Sequence, residues 1–148
     1  MFRKLAPALL AAAAIVGAAY ADHHEERLNA NTATAPQLAA AGVGGATAAA
    51  ILGGQPFAST AAYNAVIDPN MSDTDKAELF ERVFVPIDLN TATREEIMLI
   101  PGMTRRMAHE FEEYRPYTSI DQCNREIGKY VDDAEVARLR SYVTLNAE

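Results

Sequence analysis

The chain is poor in the residues on which most catalytic and metal sites are built. Its 148 residues include one cysteine, three histidines and no tryptophan. With Cys123 alone no internal disulfide can form, and the leftover thiol is expected either to be buried or to pair with another molecule. No Cys-x-x-Cys pair, Cys-x-x-Cys-His haem site, His-Glu-x-x-His or Walker loop occurs, so the redox, haem, zincin and P-loop classes lose their usual signatures. Basic residues are also scarce, 13 against 20 acidic, for a net charge of −7. A nucleic-acid binder usually carries a positive footprint. This balance argues against a broad DNA surface and leaves room only for a local one.

Long apolar runs are confined to the N-terminus. "MFRKLAPALLAAAAIVGAAYA" has a basic start (Arg3, Lys4), an apolar run from Leu5 to Ala19, and small residues at Ala19 and Ala21. That is the pattern of a secretory signal peptide cut after Ala21. The run is short for a membrane span of about 20 residues, so export with cleavage is expected, and a membrane anchor if the segment stays uncleaved. Removing residues 1–21 leaves 11 basic and 20 acidic side chains, a net charge of −9. The 127 residues that remain suffice for one domain or two small ones.

What the sequence does have is an internal repeat. Asn31-Thr32-Ala33-Thr34 returns as Asn90-Thr91-Ala92-Thr93, 59 residues on. Gly42, Pro56, Phe57 and Ser59 return as Gly102, Pro116, Tyr117 and Ser119, 60 residues on. One residue is therefore missing from the first helix of the first copy. Repetition at this length marks a duplicated supersecondary unit. Thr34 with Gln37, and Thr93 with Glu96, form S/T-x-x-E/Q capping boxes at helix starts. Ser72 with Asp75, Ser119 with Gln122, and Asp132 with Glu135 mark later starts. In the second copy, Ile97 and Ile100 share a face before Pro101-Gly102 ends the helix. The next helix, about Thr104 to Tyr114, offers Met107, Ala108, Phe111 and Tyr114 to the core at helical spacing. A last helix from Asp132 is expected to add Val136, Leu139 and Val143. The expected fold is all-α, with two helical units packed as one compact body. The division is a signal peptide (1–21), a polar leader (22–27), a first unit (28–87) and a second unit (88–146).

At "LNTATREEIMLIPGMTRRMAHEFEEYRPYTSIDQ" the chain resembles the helix-hairpin-helix unit of the ComEA competence family. The resemblance is carried in the second copy by Asn90, Thr91, Ala92, Ile97, Ile100, Pro101, Gly102, Ala108, Tyr114, Arg115, Pro116, Tyr117 and Ser119. In the first copy it is carried by Asn31, Thr32, Ala33, Leu38, Gly42, Val43, Gly44, Ala48, Pro56, Phe57 and Ser59. It implies tandem helix-hairpin-helix units in an exported or tethered protein that binds double-stranded DNA without sequence preference. In that family the hairpin glycines let backbone amides at a helix start approach a phosphate. The chain is also similar, more distantly, to the extrinsic photosystem subunit PsbU, where the same unit serves as a protein-binding scaffold.

The candidate phosphate contacts are Gly42, Val43 and Gly44 in the first copy and Gly102, Met103, Thr104, Arg105 and Arg106 in the second. The first turn keeps its G-x-G but has no basic residue beside it. The second has Thr104 in place of the family's second glycine, and Thr104 suits an N-cap. Arg105 and Arg106 stand in a helix's first turn, where they oppose the dipole and suit an external anion; the alternative is pairing with Glu110 or Glu113, or simple solvation. The later turns, "VIDPNM" and "EIGKYVDD", place Asp68, Asp132 and Asp133 where a phosphate would come. From Asp88 onward eight basic residues face twelve acidic ones. Cleavage after Ala21 would also leave His23 at the third position of a free terminus beside His24, an arrangement that can hold copper or nickel; a polar leader is the simpler reading. No nucleophile–base arrangement is evident, and no cofactor is expected. The expected function is a non-enzymatic periplasmic binding module that acts on an unidentified periplasmic or membrane-complex protein. The alternative is weak, salt-sensitive binding of double-stranded DNA.

Overall fold

A computed structural model describes residues 27–146. The proposed signal peptide and the His23–His24 pair lie outside these residues. Among the described residues the chain is mostly helical, with eight α-helices and four two-residue strands. The first copy runs β1 (Leu28–Asn29), α1 (Ala35–Ala40), α2 (Gly45–Gly54), α3 (Thr60–Val66), α4 (Asp73–Arg82) and β2 (Val83–Phe84). The second runs β3 (Ile87–Asp88), α5 (Arg94–Ile97), α6 (Arg105–Glu113), α7 (Ile120–Ile127), α8 (Asp133–Arg140) and β4 (Val143–Thr144).

The helical content fits the all-α expectation, to which the strands add two short parallel pairings. β1 pairs with β2 in parallel, Leu28 opposite Val83, and β3 pairs with β4 in parallel, Ile87 opposite Val143. Each copy is thus closed by its first and last residues, with the same register in both. The segment "VFVPIDLN" supplies the middle of this arrangement. Its Val83, Phe84, Val85, Ile87 and Leu89 are all buried, and extended backbone lets β-branched and aromatic side chains pack at every position. Val143 is accordingly in a strand; α8 ends at Arg140.

Side chains cap the helix starts where the sequence placed them. Thr93 Oγ1 accepts from the Glu96 amide at 3.2 Å, and Glu96 Oε2 accepts from the Thr93 amide at 3.0 Å. Thr34 and Gln37 make the corresponding return bond at 2.9 Å. Ser59, Ser72, Ser119 and Asp132 each accept from the amide three residues on. Each such cap contributes about 1 kcal/mol. That matters here because α1 and α5 have only 6 and 4 residues and are too short to persist alone.

The core is a run of aromatic rings that crosses from one copy to the other. Phe57, Tyr63, Phe80, Phe84 and Tyr142 stack in sequence with centroids 5.0–5.5 Å apart. Phe84 and Tyr142 meet edge to face across the seam. Arg27, the last residue of the expected leader, belongs to this seam. Its guanidinium lies 3.2 Å over the Tyr142 ring, and its Nε donates to the Glu81 carbonyl at 3.0 Å. Within the second copy Ala108 and Phe111 are buried, whereas Met107 and Tyr114 are only partly so. Tyr114 caps α6 and its hydroxyl meets that of Tyr130 at 2.8 Å. Cys123 is buried, and burial pushes its thiol up to about 11.

Candidate functional site

The two glycine turns share a left-handed glycine, and the first has another at Gly45 (φ +58°), where the second copy has Arg105. Gly42 has φ +73° and Gly102 has φ +74°, a left-handed conformation that glycine adopts without the Cβ penalty of other residues. Each turn is held from behind by an arginine of its own copy's last helix. Arg82 Nη1 donates to the Ala41 carbonyl at 3.1 Å, and Arg138 Nη1 donates to the Pro101 carbonyl at 2.9 Å. The repeat offset does not relate these arginines, since Arg82 corresponds to Tyr142. The same carbonyl is reached from a different turn of the helix, so sequence alignment of the copies could not reveal it.

In the first turn Val43 points inward, 4% exposed, while Gly42 and Gly44 are at the surface. Gly44 is the N-cap of α2, with no side chain to satisfy the helix start. A cleft of ≈ 220 Å³ opens beside it, lined by Gly42, Gly44, Thr47, Asp75, Glu78 and Arg82. Arg82 is already committed to carbonyls. Arg82 keeps its charge, so two carboxylates against one guanidinium leave the cleft net negative, which disfavours phosphate.

In the second turn Met103 is partly buried, and the Thr104 hydroxyl accepts from the Met107 amide at 3.1 Å. Thr104 thus occupies the helix start that a phosphate would use. Arg105 and Arg106 are exposed, and among the described residues neither forms an ion pair. Pairing with Glu110 or Glu113 is not seen: Glu113 lies 3.5 Å from His109, and Glu110 is 7% exposed with Oε2 unpartnered.

The third and fourth turns are filled by their own side chains. Asp68 accepts from the amide of Asn70 at 2.8 Å. Asp132 accepts from the amide of Glu135 at 2.9 Å, and Lys129 is paired with Glu126. Gly128 has φ −61°, an ordinary helical value, so it is not a counterpart of Gly42 or Gly102.

Repeated asparagines tie the loop before each copy's first helix to the loop before its third. Asn31 accepts from the Phe57 amide at 2.6 Å and donates to the Phe57 carbonyl at 3.1 Å. Asn90 does the same with Tyr117, at 2.7 and 3.0 Å. One residue before each of the cis prolines Pro56 and Pro116 stands a second clamp. Gln55 donates to the carbonyls of Ala30 and Ala33 at 2.6 and 2.9 Å. Arg115 donates to those of Leu89 and Ala92 at 2.6 and 2.7 Å. Arg115 is therefore a helix-to-loop staple rather than a surface cation.

A polar cleft of ≈ 380 Å³ lies on the seam, lined by Asn29, Asn31, Ser59, Asp88, Glu96 and Asn146 among others. Among the described residues no lysine, arginine or histidine lines it. Glu96 is 8% exposed and bridges the copies, with Oε1 accepting from the Ala61 amide at 3.3 Å. Burial pushes its carboxyl upward, but the amides of Thr93 and Ala61 and the hydroxyls of Ser59 and Thr93 outweigh this and hold it below the usual range. Asp88 is held low in the same way, its burial outweighed by the amides of Asn146, Asn90 and Thr91 and the Thr91 hydroxyl. Among the described residues no group of three or more His, Cys, Asp or Glu is placed to hold a metal, and no helix is long and apolar enough to cross a membrane. Comparisons with protein-family models, curated proteins and solved structures returned no match.

Proposed function

We propose that the chain is an exported tandem helix-hairpin-helix protein of ComEA-like ancestry that works as a non-enzymatic protein-interaction scaffold, and that its turns serve as helix joints. One observation supports this reading above the rest. The helix starts that would receive a phosphate are closed by Thr104, Ser72 and Asp132. The start left open, at Gly44, faces Asp75 and Glu78. A closed, acid-lined turn still joins two helices at a fixed angle. It does not attract a duplex.

A second reading, weak sequence-independent binding of double-stranded DNA, is favoured by the exposed Arg105 and Arg106, which have no ion-pair partner among the described residues. Two arginines give a small phosphate count, and affinity built on phosphate neutralisation falls steeply with salt. Titration of the chain with fluorescent duplex DNA at low and near-physiological salt separates the two, run beside Arg105→Glu/Arg106→Glu. The scaffold reading expects no binding at physiological salt by either form. Binding that persists there and is lost in the double variant would establish the DNA reading instead.

A further inference from the structure

We draw no further inference here: the strongest candidate, the polar cleft on the seam lined by Asp88 and Glu96, carries none, because both carboxylates are already held by amides of the chain itself and nothing in the structure shows what would occupy it.

Discussion

Replacing Glu96 by glutamine tests how the two copies are joined. The carboxylate closes the capping box of α5 through the Thr93 amide at 3.0 Å and reaches the first copy through the Ala61 amide at 3.3 Å. Glutamine keeps one acceptor oxygen and turns an N–H toward a donor. At least one bond to a charged acceptor is lost, and such bonds contribute about 1.5–3 kcal/mol each. With the side chain 8% exposed, water does little to compensate. The expected destabilisation is about 2 kcal/mol at pH 7. The carboxyl is held below its ordinary value of 4.5 in the folded chain. Its contribution is therefore fully present above pH 4.5 and is lost as pH falls through the lower, folded value. Urea unfolding of both forms from pH 7 to pH 3 should show a gap that narrows below pH 4.5. A gap that stays constant down to pH 3, or no gap at pH 7, would refute the seam role assigned to Glu96.

Other expectations follow from single contacts. Asn31→Ala and Asn90→Ala each strand the amide and carbonyl of a buried residue, Phe57 or Tyr117, and should cost roughly 2–4 kcal/mol apiece, measured by urea unfolding; a cost below 1 kcal/mol for either would contradict the shared clamp. Gly102→Ala places a methyl at φ +74° and should cost about 1–2 kcal/mol. Gly44→Ala, at φ −131° with nothing within 4 Å of the new Cβ, should cost only a few tenths of a kcal/mol to about 1 kcal/mol from the N-cap change. Cys123 is buried with its thiol pushed up to about 11, so at pH 8 it should react with an aromatic disulfide reagent at least tenfold more slowly in the native chain than in urea.

The local devices were legible in the sequence because their partners are near. Thr93, Ser119 and Asp132 could be read as caps since each bonds an amide three residues away. Gly42 and Gly102 could be read as turn formers from the repeat, and both adopt the left-handed conformation. The strands were missed because two residues cannot display a period of two, and because their parallel partners lie 55 to 56 residues off. Asn31 and Asn90 were visible as a repeated motif, yet their role was not: the residues they clamp are 26 and 27 positions on. Gln55 and Arg115 do one job with different chemistry, and Arg82 and Arg138 do one job from different helical positions. No spacing rule links either pair. Glu96 was read as a capping residue, and its second partner, 35 residues earlier, belongs to the other copy.

The most direct test of whether the turns are closed is the salt dependence of duplex DNA binding by the full chain. The slope of log K against log salt is about −0.9 per phosphate neutralised. With Thr104 and Asp132 capping the helix starts and Asp75 and Glu78 beside Gly44, Arg105 and Arg106 are the exposed cations left beside the turns among the described residues. The expected result is a slope no steeper than about −2 at low salt, with binding undetectable at physiological salt. A slope of about −4 or steeper, with binding that survives physiological salt, would mean that several turns still hold phosphate and would contradict the account.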